Sequence, residues 1–216
     1  MVGKNVRTER VRATRELIRT TAERLYAEHG VYAVGNRLIS EASGQGNNAA
    51  VVYHFGTKAD LVQAITRHHA ERLESIAEKR LASIGDSPEL RDWVGCLVRP
   101  MPEHLAQLGS PTWFARFCAQ VMADPALHEI LVGEILDTSA WRRILEGLHR
   151  RLPELPAEVR AERTAMTRHV ILQMCAERER ALALNTPTPR AGWHDTATGI
   201  VDAVVGLWMA PVTRES

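Results

Sequence analysis

Residues 44–60 read GQGNNAAVVYHFGTKAD. Gly44 is placed to take the left-handed conformation that ends a preceding helix, and Gly46 gives the following turn a further residue without a Cβ. Asn47 suits the N-cap of a new helix. Thr57, with Asp60 three residues on, has the capping-box pattern that opens yet another helix. A short helix, a glycine-containing turn and a second short helix make a helix-turn-helix, an arrangement in which the second helix can enter a nucleic-acid groove.

The flanking sequence supplies the rest of such a unit. Upstream, VRATRELIRTTAERLYAEHG (11–30) sets Val11, Ile18, Ala22 and Leu25 at three- and four-residue steps and stops at Gly30, which predicts an amphipathic helix over Thr8–His29. NRLISEAS (36–43) is the first short helix, with Leu38, Ile39 and Ala42 as its buried face. From Thr57 to about Ser83 a long helix carries Leu61, Ile65, His69 or Arg72, and Ile76 along one face. Farther on, Pro88, Pro111, Pro125 and Pro156 mark helix starts as first-turn prolines, while Pro100 and Pro102 interrupt the helix that begins near Pro88. The last two helices, around Ala157–Leu184 and Trp193–Pro211, flank the loop NTPTPRAG.

Sustained period-two alternation is missing and aromatics are only 5%, so the expected fold is all-α, with about nine helices. Four fall before Ser83. The expected division is residues 1–60, a helix-turn-helix domain with a basic N-terminal arm, and residues 61–216, a larger helical domain. Hydrophobic residues at 45% and charged residues at 25% exclude a disordered or collagen-like chain. No apolar run approaches the roughly 20 residues that span a bilayer, and MVGKNVRTERVRATRE lacks the apolar core of a signal peptide, so a cytoplasmic protein is expected.

The net charge of +1 is unevenly spread: residues 1–60 hold nine Lys/Arg against six Asp/Glu. Lys4, Arg7, Arg10, Arg12 and Arg15 face only Glu9, which fits either a solvated tail or an arm that tracks phosphates. Asn47 and Asn48 are open to two readings in the same way, as a polar turn or as the start of a base-reading helix. In the second, the helix's own N–H groups occupy the Asn47 oxygen, Asn48 pairs with adenine, and the Ala49 and Ala50 methyls allow close approach to thymine.

The run from Arg15 to Leu61, with a helix ending AEHG, a short helix ending ISEASG and then AAVVYHFGTKADL, resembles the DNA-binding domain of the TetR family of transcriptional regulators. Tyr53-His54-Phe55-Gly56-Thr57-Lys58 is its most specific part. The resemblance implies that Tyr53, His54 and Lys58 contact DNA phosphates and that Arg37 reaches base edges or backbone. Gln45, Asn47, Asn48, Ala49 and Thr57 would complete the interface, and Phe55 would be core. A lysine at a helix N-terminus opposes the dipole, which a facing phosphate would offset. The chain departs from the commoner pattern in three places. It has one extra residue between Gly44 and Tyr53, Val52 in place of a frequent tyrosine, and Gly35-Asn36 where a threonine often caps. The extra turn residue re-aims Asn47 and Asn48.

The resemblance further implies a homodimer on a palindromic double-stranded DNA operator, a small-molecule effector, and most often repression. The competing reading is a helical ligand- or protein-binding dimer that keeps the scaffold without specific DNA recognition. For a dimer, Ile200, Val204 and Trp208 line one face of the last helix near the small residues Gly199, Ala203 and Gly206, with Met166, Val170 and Met174 opposite. The same faces could be monomer core. Trp93, Met101, Trp113, Phe117, Met122 and Trp141, with His169, suit an adaptable effector pocket or plain core. HExxH, zinc-spaced Cys/His clusters and nucleophile elbows are all missing from the sequence, so no catalytic residue, metal or cofactor is expected. Cys96, Cys118 and Cys175 read as small buried hydrophobes.

Overall fold

The computed structural model describes residues 2–47 and 49–213, with side chains from Thr8 onward. Among the described residues all regular structure is helical: α1 (Val2–His29), α2 (Asn36–Ala42), α3 (Ala50–Phe55), α4 (Lys58–Ile84), α5 (Leu90–Val98), α6 (Pro100–Leu108), α7 (Phe114–Met122), α8 (His128–Leu136), α9 (Ser139–His149), α10 (Ala157–Ala183) and α11 (Trp193–Met209). These are eleven helices rather than about nine. The difference lies beyond α4. The interruption at Pro100 is present, but the chain resumes at once as α6, and α8 passes to α9 through Asp137-Thr138, a connection with neither Gly nor Pro to mark it in the sequence.

The proline rule needs a correction of its own. Pro100 and Pro102, expected to interrupt a helix, are instead the prolines that sit in a helical first turn, at the start of α6. Pro88, Pro111 and Pro125 lie in the connections ahead of α5, α7 and α8, and Pro156 is the N-cap of α10. A residue without an N–H and with a fixed φ is accommodated as readily in the turn before a helix as inside its first turn.

Burial follows the sequence periodicity on the long helices. Ile18, Ala22 and Leu25 of α1 are buried, whereas Val11 is 44% exposed; on α4, Leu61, Ile65, His69 and Ile76 form the inner face, so His69 occupies the position left open against Arg72. On α2 the expected face is corrected: Ile39 and Ser40 are buried, while Leu38 is 42% exposed and Ala42 is also outside. Two turns of helix can bury only a narrow stripe, and Ser43 joins it because its hydroxyl donates to the Ile39 carbonyl at 2.7 Å.

The larger part is tied together by side chains that cap distant helices. Glu179 of α10 accepts from the N–H groups of Ala115 and Arg116 at 3.3 and 2.9 Å, filling the open N-terminus of α7. Arg163 of α10 donates to the carbonyls of Trp208 and Ala210 at 2.8 and 2.7 Å, closing the end of α11. Gly147 of α9 is required by packing, since a Cβ there would stand 1.9 Å from the Trp93 ring of α5. The three cysteines are free and buried, as expected, and burial pushes the Cys96 thiol up to about 11.

The inward face of α11 corrects one part of the dimer reading. Ile200, Val204 and Trp208 are 2%, 0% and 2% exposed within the single chain, because that side of α11 packs on α5, α6 and α10. The Trp208 indole N–H is spent on Thr167 Oγ1 at 2.9 Å. What remains outside is a different surface: Met166 and Met174 on α10, 49% and 47% exposed, and Ala203, Gly206 and Met209 on α11.

Candidate DNA-binding surface and effector cavity

The turn between α2 and α3 is built as its glycines suggest. Gly44 has φ +68°, and the Gln45 N–H reaches back to the Ser40 carbonyl at 2.8 Å. The Gln45 side chain donates to the Ser43 carbonyl at 3.0 Å. Asn47 Oδ1 accepts from the Ala49 N–H at 2.8 Å, so its oxygen is occupied by the start of α3, although the N-cap position itself falls on Ala49. Asn48 lies outside the described residues.

Helix α3 has a sharply divided surface. Val51 and Phe55 are buried at 1% and 9%, whereas Val52 and Tyr53 are 53% and 79% exposed, with Ala49 on the same open side. The exposed aromatic and the exposed β-branched residue stand side by side on the open face of α3. The half-buried His54 ring meets the edge of Tyr53 at 5.0 Å between centroids.

The C-terminal end of α3 is fixed from two directions. Arg15 of α1 donates to the His54 carbonyl, and its guanidinium lies 4.3 Å above the Phe55 ring. This clamp gives no local sequence signal, since its partner is 39 residues away. Beyond Phe55, Gly56 turns the chain at φ +84°, and Thr57 and Asp60 close the expected capping box: Thr57 N–H to Asp60 Oδ2 at 2.8 Å, Asp60 N–H to Thr57 Oγ1 at 3.2 Å. The Thr57 contacts hold the Asp60 carboxyl below its ordinary range. Lys58 donates to the Val31 carbonyl at 2.7 Å and so ties α4 to the loop after α1, while Arg37 is exposed and paired with Glu41 at 2.7 Å.

The Gly56 corner is therefore sensitive. An alanine Cβ would stand 2.8 Å from Asp60 Oδ2 in a left-handed backbone, so Gly56→Ala should cost about 1–2 kcal/mol from the backbone alone, with the capping box strained in addition. Thermal unfolding should register that loss, and an unchanged melting temperature would contradict this account of the corner.

In the larger part, a half-open apolar cavity of about 120 Å³ has walls from each of α4 to α11, including Leu73, Leu97, Met101, Met122, Trp141 and Arg168. Of the residues named for a pocket, Met101, Met122 and Trp141 line this cavity. The other four lie elsewhere. Trp93 is buried against Gly147 and donates to the Ser87 carbonyl at 2.9 Å; Phe117 stacks on Tyr26 at 6.3 Å; Trp113 precedes α7 as its N-cap; His169 is exposed on α10. Helical spacing alone does not tell a cavity wall from ordinary core, and α8, which contributes Leu131, Val132, Ile135 and Leu136, has no aromatic to draw attention to it.

A buried polar chain connects the two parts. Glu23 of α1 meets His69 Nε2 at 3.1 Å, and His69 Nδ1 meets His104 Nε2 of α6 at 2.7 Å, with Phe114 stacked on His69 at 3.8 Å. Among the described residues no group of three His, Cys, Asp or Glu could hold a metal ion, and no helix is long and apolar enough to cross a membrane.

Comparison with known proteins finds two family profiles along the chain. Residues 18–65 match the family profile described as "Bacterial regulatory proteins, tetR family", and residues 95–206 match "Tetracyclin repressor-like, C-terminal domain". The HTH-type transcriptional repressor AcnR of Corynebacterium efficiens is 34% identical over 86 residues, which cover 38% of this chain and 45% of that protein; AcnR of Corynebacterium glutamicum matches to the same extent. The match thus spans about half the length of these curated relatives. Two solved structures share the fold: the TetR family regulator PfmR from Thermus thermophilus, with TM-score 0.53, 17% identity and 93% and 97% of the two chains covered, and RolR in complex with resorcinol, with TM-score 0.50, 19% identity and 95% and 98% covered. With one profile over the helix-turn-helix and a second over more than half of its length, the chain belongs to the TetR family of bacterial transcriptional regulators.

Proposed function

We propose that this protein is a ligand-responsive repressor that binds a palindromic operator as a homodimer in the cytoplasm. In this reading residues 1–60 hold the DNA, and residues 61–216 hold the effector and the partner subunit. The observation that carries it is α3: a short helix whose outer face leaves Val52 and Tyr53 uncovered, while Arg15, the Gly56 turn and the capping box fix its direction. Such a helix is suited to lie in a major groove with its start against base edges and Tyr53 and His54 near phosphates.

The Lys58 contact with Val31 is compatible with a phosphate role. An ammonium group has three donors, and the carbonyl uses one. For the dimer, the exposed methionines of α10 and the small residues of α11 offer a face that two subunits could share, which sets two recognition helices about 34 Å apart on one turn of DNA. An effector in the cavity would act by binding one dimer geometry more tightly than the other, and α4 is the natural link because it lines the cavity and also closes the helix-turn-helix.

Selection of bound DNA from a random pool, followed by titration at several salt concentrations, tests this reading. Lys58→Ala should weaken all sites about equally and lower the salt slope by about 1, whereas Asn48→Ala should change the preferred base at one position in each half-site. Binding that ignores salt, or a pool that yields no palindrome, would leave the scaffold reading without DNA recognition as the better one.

A further inference from the structure

The cavity enclosed by α4 to α11 has Leu73, Leu97, Leu131, Leu145, Trp141 and Trp208 in its wall, and the surface it turns inward is almost wholly carbon. Its few polar residues do not change that. Thr164 donates its hydroxyl to the Arg160 carbonyl at 2.8 Å, and Thr167 Oγ1 accepts the Trp208 N–H at 2.9 Å. The Trp141 N–H and Arg168 Nε are enclosed in the packing, out of reach of anything in the cavity. Burial, and after it the Arg160 charge, lowers the His149 pKa, so that ring is neutral at pH 7.5. No acid stands in the described lining.

A hydroxyl or a charged group enclosed there would give up its water and gain no partner. A hydrocarbon loses nothing by leaving water, and it restores the dispersion contacts that the unfilled space forfeits. Size sets the other limit: an apolar cavity of roughly 150 Å³ stays dry and binds benzene, and this one measures about 120 Å³ and is half-open. We infer that the cavity takes an uncharged hydrocarbon about the size of one ring, and that it selects against any ligand whose enclosed part carries a hydroxyl, carboxylate or ammonium group. This deepens the effector reading above and rests on it only for the consequence of binding, not for the binding itself.

The test uses the full-length protein at pH 7.5 with benzene, toluene, hydroquinone, benzoate and benzylamine as probes. Trp141 and Trp208 line the cavity, so intrinsic fluorescence reports occupancy, and calorimetry gives affinity. Benzene and toluene should each saturate one site and raise the melting temperature. Hydroquinone, whose opposed hydroxyls cannot both turn to the open side, should bind about tenfold or more weakly than benzene. Neither benzoate nor benzylamine should bind as tightly as toluene. Leu145→Trp, which fills the cavity, should abolish binding of both hydrocarbons while circular dichroism shows the chain folded. Leu145→Phe, a milder change, should weaken toluene more than benzene.

Failure of both hydrocarbons to bind, hydroquinone or either ion binding as tightly as the hydrocarbons, or hydrocarbon binding untouched by both substitutions overturns the inference. Release of operator DNA is measured separately. Hydrocarbons that bind without releasing DNA leave the ligand class standing and sink the effector reading, whereas a charged or hydroxylated compound that fills the cavity in their place and releases DNA does the reverse.

Discussion

Replacing Glu179 by alanine is expected to destabilise the protein by about 3–5 kcal/mol, the cost of breaking a buried ion pair from one side. The Glu179 carboxylate is 1% exposed, and its partner Arg116 is 10% exposed at 3.2 Å. Removing the acid would leave a buried guanidinium with only the Thr112 carbonyl at 3.0 Å, and it would also strip the Ala115 and Arg116 N–H groups of their acceptor at the start of α7. Burial pushes the Glu179 carboxyl up against these hydrogen bonds, so the pair is not strongly stabilising as a whole. Glu179→Gln keeps one acceptor oxygen and should cost less than half as much. A double-mutant cycle with Arg116→Met, read by urea unfolding, should therefore show Glu179→Ala far less harmful once the arginine is gone. Equal costs in both backgrounds would mean that the α7 cap, not the charge, dominates.

The consequence reaches the DNA-binding part because α7 packs on α1, with Phe117 stacked on Tyr26. Any loss of operator affinity in Glu179→Ala should track the unfolded fraction and vanish on cooling. A defect at full folding would place Glu179 in signalling as well as in stability.

How much of this is legible in the sequence depends on whether the responsible contact is local. The Gly44 turn, the Thr57–Asp60 box and the inner faces of α1 and α4 are set by neighbours within four residues, and they stand where the pattern places them. Glu179 reads as one more charge in the run AERER, and nothing near it names α7 as its partner. Arg15 reads as part of a basic arm, yet it closes the end of α3. Ile200, Val204 and Trp208 do form one apolar face, but periodicity reports that a face is buried without saying whether another helix of the same chain or a second subunit covers it. The cavity is half legible for a similar reason: its aromatics and methionines stand out, while the aliphatic wall from α8 emerges only when eight helices are brought together.

The second large effect is expected with pH and centres on His104. It is 3% exposed, its Nε2 lies 2.7 Å from His69, and its Nδ1 has no partner. Burial, followed by the charges of His69, Arg72 and His68, lowers its pKa to about 3. A histidine neutral when folded and free to protonate near 6.5 when unfolded stabilises the native state fully above pH 6.5. That contribution is lost as pH falls from 6.5 toward 3, with a slope of up to about 1.4 kcal/mol per pH unit for the single proton taken up on unfolding. Depressed carboxylates such as Glu134 and Asp86 act in the same direction but only below about pH 4.5. The Glu179 carboxyl, raised by burial, acts in the opposite direction, so a loss between 6.5 and 5 comes from the histidines. His68 and His149 are also lowered, and they remain in a His104→Gln variant, whose amide can still reach His69. Urea unfolding of both proteins at pH 7.5, 6.5, 5.8 and 5.0 should thus show the wild type losing stability faster than the variant, whereas parallel curves would reject the assignment. His104 lies one turn from Met101 in the cavity wall, and its chain through His69 ends on Glu23 of α1, so acid should loosen the seat of α6 against α4 and lower operator affinity over the same interval.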